Sequence, residues 1–335
     1  MAKVRLVDIG NRLGVSSVTV HNALSGEKGV SAEMREKIIE TAREMGYRPA
    51  SAARRPKEEN TGSARIGVVI AENYLGDHTT FYGRLYQKLS LAASARHCYT
   101  TIEVLKKEDE IETLKLPQIA QDGSVDVLIV LGQLDRRYIA HLKEILEIPV
   151  AYLDFYYSEI AEDCVVADNF YGMYLLTQYL FERGVNDMAY VGSIHATSSI
   201  MDRYFGFMKA LTEHRRVLPP EWLIEDRDAL GNIGFELPDK LPGAFVCNCD
   251  LAAGMVIEKL QKRGMRVPED CSVVGFDNFL YPGHADMNIT TFEVNLDGMV
   301  EIALDKVLGR FYDPEYSAGI LEIVSGRMVI KKSVR

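Results

Sequence analysis

From Arg65 onward, short apolar, β-rich runs alternate with stretches of helical periodicity, and this restricts the fold more than any other property of the chain. The first runs are Ile66–Ile70, Thr100–Val104, Val127–Leu131 and Val150–Leu153, with helical stretches Phe81–Ala95, Ile111–Gln121 and Tyr138–Leu146 between them. A second series has strands Val165–Ala167, Met188–Gly192, Ala244–Cys247 and Ser272–Phe276, separated by helices Tyr171–Arg183, Ile200–Glu213 and Leu251–Lys262. Parallel strands need helix-length crossovers, and the helices then cover both faces of the sheet. The body therefore reads as two α/β lobes with parallel, Rossmann-like sheets, the chain crossing between them near Ala161–Cys164. A late helix, Leu296–Arg310, and a late strand, Ile320–Val324, fit either lobe.

The residues before Arg65 follow another rule. Leu6, Ile9 and Leu13 recur at helical spacing, as do Val20, Ala23 and Leu24. Gly14 suits the left-handed residue that ends the first helix, and Ser16 or Ser17 can accept from the free amides that open the second. Two short helices joined by a turn containing Gly make a helix-turn-helix, whose second helix can lie in the major groove of DNA. The pattern also occurs in all-α domains that never meet nucleic acid. A third helix begins at Ser31, carries Met34, Ile38, Ala42 and Met45 along one face, and ends at Gly46 before Pro49. Residues 48–63 are polar and poor in large apolar groups, which reads as a linker.

Charge separates the same two regions. The 335-residue chain has a net charge of −10, yet residues 1–57 hold eleven Lys/Arg against six Asp/Glu. The head is thus basic at +5 and the rest carries −15, an asymmetry that points to a nucleic-acid partner for the head. No apolar run reaches the roughly 18–20 residues of a membrane span, and no signal-peptide core follows Met1, so a cytoplasmic protein is expected. The five cysteines are scattered and lack metal-ligand spacing, so reduced thiols and no metal are expected.

Open parallel sheets bind ligands beyond the carboxyl ends of their strands, so two facing lobes place a site in the cleft between them. Asp154, Asp168, Asp250 and Asp277 fall at such ends, and Arg203 lies in the helix after the Gly192 strand. Carboxylates with a guanidinium can hold sugar hydroxyls through paired hydrogen bonds. Each Asp taken alone has a simpler reading as a helix cap.

The whole chain resembles the lactose-repressor (LacI/GalR) family of bacterial transcription regulators. The head shares Asp8-Ile9, Gly14-Val15-Ser16, Thr19-Val20, Ala23-Leu24-Ser25-Gly26, Gly29-Val30-Ser31 and Gly46-Tyr47-Arg48-Pro49 in the family's order. The body shares Asp168-Asn169-Phe170-Tyr171-Gly172, Arg203-Tyr204-Phe205-Gly206-Phe207, Arg266-Val267-Pro268-Glu269-Asp270 and Ser272-Val273-Val274-Gly275-Phe276-Asp277-Asn278. The resemblance implies a helix-turn-helix head that binds a palindromic operator as a homodimer, and a periplasmic-binding-protein-like body. A sugar or nucleobase in the cleft would change the lobe angle and so the spacing of the heads. It also implies boundaries: a DNA-binding domain over residues 1–47, a hinge over 48–63 and an effector-binding and dimerisation domain over 64–335. Within the last, the N-subdomain covers about 64–161 plus 292–318, and the C-subdomain about 162–291 plus 319–335.

Carried over by position, Ser17, Val18 and Asn22 read bases, and Ser16, Thr19 and Asn22 are placed for backbone contacts. His21 lies on the same outward face, Arg48 and Arg54 are further DNA-binding candidates, and Arg54 and Arg55 favour phosphate. Asp154, Arg203, Asp250 and Asp277 fall where the family holds its effector, and Phe81 and Tyr82 match its first-lobe aromatics. The expected ligand is a small carbohydrate, with a nucleobase or phosphosugar corepressor as the alternative.

Several positions depart from the family. Asn22 stands where Arg is common, and Asn prefers adenine or phosphate. Pro56 replaces the linker's usual apolar wedge, and proline stops a helix. Cys249 replaces the usual Asn before Asp250, with Asn248 one place earlier. The stretch Glu225–Pro242 is short and broken by Gly231, Gly234, Pro238 and Pro242, so a helix is expected to be missing and a pocket edge open. No heptad tail follows Gly326–Ile330, which implies a dimer rather than a tetramer. No phosphate loop, strand–GxGxxG–helix, GxSxG or HExxH is present, so neither an enzyme nor a cofactor is expected. A sugar-transport component is opposed by the basic head.

Overall fold

The computed structural model describes residues 6–24, 30–45, 63–75, 80–228, 231–281, 287–313, 315–316 and 321–335. It divides into two compact units, Met1–Gly62 and Ser63–Arg335.

The first unit holds α1 (Leu6–Leu13), α2 (Ser17–Leu24) and α3 (Ala32–Glu44). Ile9, Val20, Ala23, Ile38 and Ala42 are its buried centre, with Leu13, Val15, Val30, Met34 and Met45 packed around them. These are the apolar positions of the helical pattern, so three amphipathic faces close on one another. Gly14 turns between α1 and α2 at φ +69°, a conformation that a side chain would oppose. Ser16 caps α2, its hydroxyl accepting from the Thr19 amide at 3.0 Å. Arg35 of α3 donates to the Ala23 carbonyl at 3.3 Å, which ties the third helix to the end of the second.

The second unit begins with β1 (Arg65–Ala71), α4 (Phe81–Ala95), β2 (Tyr99–Leu105), the short α5 (Gln118–Gln121), β3 (Val127–Leu131), α6 (Arg136–Ile145), β4 (Val150–Leu153) and β5 (Cys164–Ala167). It continues with α7 (Asn169–Glu182), β6 (Met188–Val191), α8 (Ser198–Glu213), β7 (Leu223–Ile224), β8 (Ala244–Cys247), α9 (Asp250–Lys262) and β9 (Ser272–Val274). Last come β10 (Thr291–Glu293), α10 (Leu296–Tyr312), β11 (Glu322–Val324) and β12 (Arg327–Val329). One sheet has the order β11-β5-β4-β3-β1-β2 and another the order β7-β6-β8-β9, with every pairing in both parallel. All five residues of β3 are buried, as a strand covered on both faces requires.

Two sequence expectations change. The chain leaves the first lobe after Ala167, not near Ala161–Cys164, because Tyr152 pairs with Cys164 and Val165 with Glu322 in the first sheet. The expected C-subdomain segments 162–291 and 319–335 therefore each lose a strand, β5 and β11, to the first lobe. The segment expected over 292–318 also begins elsewhere: β10 pairs antiparallel with β12, and parallel bridges join Thr290 to Val274 and Glu293 to Asp277. The helix expected over Ile111–Gln121 is instead a π turn at Glu108–Glu112 followed by α5. Pro117, which has no amide hydrogen, breaks it and opens α5.

Candidate functional site

On the head, Ser16 and Ser17 are exposed and Thr19 is half-buried. Ser16 does more than face outward, since its hydroxyl also lies 2.8 Å from that of Thr19. The side chains of Val18, His21 and Asn22, and the whole of Arg48, Arg54, Arg55 and Pro56, lie outside the described residues.

In the body, the exits of β3, β4, β6, β8 and β9 converge on one cleft. Its centre is Arg203 of α8, only 5% exposed. Nε donates to Asn169 Oδ1 at 2.8 Å and Nη1 to the Asn248 carbonyl at 2.6 Å, while Nη2 lies 3.2 Å from Asp277 Oδ1. The guanidinium carbon sits 4.0 Å above the Phe276 ring centre, a cation–π contact. Burial alone would lower the Arg203 pKa, but Asp277 and Asp154 outweigh it and hold the group charged.

Asp154 and Asp277 terminate β4 and the β9 segment with φ of +75° and +98°. A non-glycine residue in this region carries strain, and such strain gathers where geometry serves a ligand. Asp154 is 4% exposed and accepts from the Tyr82 hydroxyl on Oδ2 at 2.8 Å. Burial raises its pKa to about 6, against the opposing pull of Arg203 and Tyr82. Asp277 rises to about 7 for the same first cause, again opposed by Arg203. Asp154 Oδ1 and Asp277 Oδ1 are both buried without a hydrogen bond; the latter's ion pair with Arg203 is off the hydrogen-bonding axis.

Tyr82 stacks obliquely on Tyr74 at 4.4 Å between ring centres, and Phe81 meets Tyr82 edge-on at 5.3 Å. Phe81 and Asp277 also line a cavity of about 480 Å³ bounded by the starts of α4 and α10. Of the six residues expected at the effector site, Tyr82, Asp154, Arg203 and Asp277 are thus brought together, with Phe81 beside them. Asp250 lies close to Asp277 and has the same half-matched carboxylate: Oδ2 accepts from the Phe279 amide at 3.0 Å, and Oδ1 is buried without a hydrogen bond, packed against Gly275. Asp168 caps α7, accepting from the Tyr171 amide at 3.2 Å.

The sequence reading missed a second network. Asp226, fully buried, takes both Nε and Nη2 of Arg227, at 3.0 and 2.7 Å, together with the Ser193 amide and Asn248 Nδ2. These residues lie in the stretch after β7, where residues 225–228 and 231–243 form no helix, as expected. Arg227 lies along this pocket edge, close enough to influence the ionisation of Tyr74 and Asp277. β8 ends at Cys247, so strand alternation does not govern Asn248: its side chain turns to Asp226 and the Val191 carbonyl. Cys249 is buried in apolar company and its thiol is pushed up to about 12, which makes it inert. Among the described residues, no group of His, Cys, Asp and Glu could hold a metal ion.

The two lobes touch across the cleft through the start of α8. Ser199 donates to the Asp154 carbonyl at 3.0 Å, the Ser198 amide to Gln133 Oε1 at 2.8 Å, and Tyr156 to Asp202 at 3.0 Å.

Comparison with known proteins agrees at both ends of the chain. Residues 5–50 match the model for bacterial regulatory proteins of the lacI family, and residues 177–334 that for a periplasmic binding protein-like domain. The chain joins a lacI-family DNA-binding domain to a periplasmic-binding-protein-like domain. Among curated lacI-type relatives, the HTH-type transcriptional repressor PurR of Pasteurella multocida is 24% identical over 98% of both chains. The ribose operon repressor of Haemophilus influenzae is 23% identical over 98% of this chain and 97% of its own. The fold matches the lac repressor dimer bound to operator and the anti-inducer ONPF (TM-score 0.65, 18% identity, 99% of both chains). It also matches the transcriptional regulator CelR in complex with cellobiose (TM-score 0.68, 18% identity, 99% of this chain and 100% of the other). With this pair of domains, the chain is a DNA-binding transcriptional repressor and not an enzyme.

Proposed function

We propose that this repressor binds a palindromic operator as a homodimer and that a small carbohydrate in the cleft sets its operator affinity. Acting on DNA, it works in the cytoplasm. Residues 1–47 supply the reading head, with Ser17, Val18, His21 and Asn22 at base edges and Ser16, Thr19, Arg48 and Arg54 on phosphates. Residues 48–63 form the hinge.

One observation carries the effector assignment: two buried carboxylates, each with an oxygen lacking a hydrogen bond, flank Arg203 beside aromatic rings. Hydroxyl groups answer those acceptors, and the faces of Tyr82 and Phe81 suit the apolar face of a sugar ring. The cellobiose complex of one structural neighbour and the name of the ribose repressor agree with this class.

A thermal-shift screen of the full chain over neutral sugars, nucleobases and phosphosugars tests it, because a ligand that binds only the folded state raises the midpoint. Sugars should raise the midpoint and change operator affinity in fluorescence anisotropy. A response confined to nucleobases or phosphosugars would replace the assignment.

A further inference from the structure

The cleft is uneven in charge. Its charged side chains are Asp154, Asp226 and Asp277 against Arg203 and Arg227. Arg227 gives Asp226 two parallel hydrogen bonds and balances that carboxylate, while its charge also reaches Asp277. One guanidinium, Arg203, then faces two carboxylates, and two of its three nitrogens already serve Asn169 and the Asn248 carbonyl.

Beside Arg203, among the described residues, the atoms without a hydrogen bond are two acceptors, Asp154 Oδ1 and Asp277 Oδ1, and one donor, Asn169 Nδ2, so acceptors are in excess. Asp154 is 4% exposed and the Asp277 side chain 6%, and each keeps one oxygen without a hydrogen bond. Such atoms are costly to leave buried, and the cost is greatest for an ionised group. Around them stand the Tyr74–Tyr82 pair and Phe81, with Tyr281 near enough to Asp277 for the carboxylate to influence its phenol. Aromatic faces beside surplus carboxylates favour an organic cation over a neutral group.

Resting on the carbohydrate reading, we propose that the effector carries a protonated amine, as an amino sugar does, and that its ammonium pairs with Asp154 Oδ1 and shares Asp277 Oδ1 with Arg203. An ammonium brings three donors and a full charge, whereas a hydroxyl brings one donor and none. Burial raises the pKa of both acids, so their negative charge is held at a cost that a cation relieves. The cavity that opens on Asp277 has the volume of a small-ligand site. At its rim Lys88 pairs with Asp297 and Arg327 with Glu293, and Arg84 is exposed, where solvent screens it.

The test is isothermal titration of the full-length protein at pH 7.5 with matched sets: glucose, glucosamine, N-acetylglucosamine and glucuronate, the corresponding galactose set, and cellobiose beside its diamino counterpart. Within a set that binds, the amine should bind at least about tenfold more tightly than its neutral parent. N-acetylation, which removes the charge but keeps the substituent, should erase that gain. Asp154→Asn and Asp277→Asn should bring amine and parent to similar affinity, and the acetylated control keeps the test valid if a variant folds poorly. Neutral or acidic sugars that bind as tightly as the amine would overturn the amine and leave the carbohydrate reading intact. Binding confined to nucleobases or phosphosugars in the thermal screen would overturn both.

Discussion

In the head, the hydroxyl of Ser16 is satisfied locally by Thr19 at the exposed start of α2, whereas in the cleft Asp154 and Asp277 are buried with an oxygen each left unmatched. Both regions display polar groups to a partner, but they hold them at different cost. Exposed groups on a capped helix can exchange water for phosphate or base with little change in stability. Buried carboxylates lack that freedom, and keeping one ionised with an unmatched oxygen costs stability. The difference predicts that head variants change affinity for DNA, while cleft variants change both ligand response and the pH dependence of folding.

The largest effect is expected at Arg203. Arg203→Ala removes the cation that Asp154 and Asp277 share, and breaking a buried pair in this way costs roughly 3–5 kcal/mol. Ligand response should vanish while the folded fraction still shifts operator DNA. A normal thermal shift with ligand would show that the cleft is not the effector site.

Next is the core of the head. Among the described residues, five side chains form its buried centre, so Ile38→Ala, which removes about 3 kcal/mol from a core, should abolish operator binding. The ligand-induced thermal shift of the body should persist, and losing both together would end the contrast between two separate units.

Asp154→Asn tests that cost directly. An acid whose folded-state pKa lies above its unfolded value binds its proton more tightly when folded. Its ionisation therefore costs stability as pH rises from about 4 to about 6, and adds no further cost above that. The variant should raise the unfolding midpoint of the ligand-free protein at pH 7.5 and leave it unchanged near pH 4. The gain at neutral pH should reach about 2–3 kcal/mol, since each pKa unit is worth about 1.4 kcal/mol. An equal change at both pH values would assign the effect to packing.

The smallest effect is at Ser16. Ser16→Ala removes a helix cap worth about 1 kcal/mol and should weaken operator binding without touching ligand response.

What the sequence disclosed follows the range of the interactions involved. Local pattern sufficed for α4 and β8, whose periodicity and apolar runs end where the structure ends them. It sufficed also for Ser16, because a cap is a matter of three residues. Pro117 was equally visible, and the helix drawn through it ignored a missing amide hydrogen. The pairing of β5 with β11 could not be read, since it joins residues more than 150 positions apart. The site divides in the same way. Asp154, Arg203 and Asp277 were legible at strand ends and in a shared motif. Asp226 and Arg227 were not, because they lie in an aperiodic stretch and their importance comes from Ser193 and Asn248, which only folding brings near. Asp250 stood at a strand end too, yet the turn after β9 claims one of its oxygens.

The split of the last residues between the lobes bears on how the protein is made. β11 completes the edge of the first sheet, while Ser333 hydrogen-bonds Thr290 and Val273 in the second lobe, so both lobes lack a piece until Glu322–Arg335 has been synthesised. The buried centre described for the head, Ile9 to Ala42, is drawn from the first residues of the chain. On the ribosome the reading head can fold early, and the two lobes whose closure would govern it are completed together, at the end.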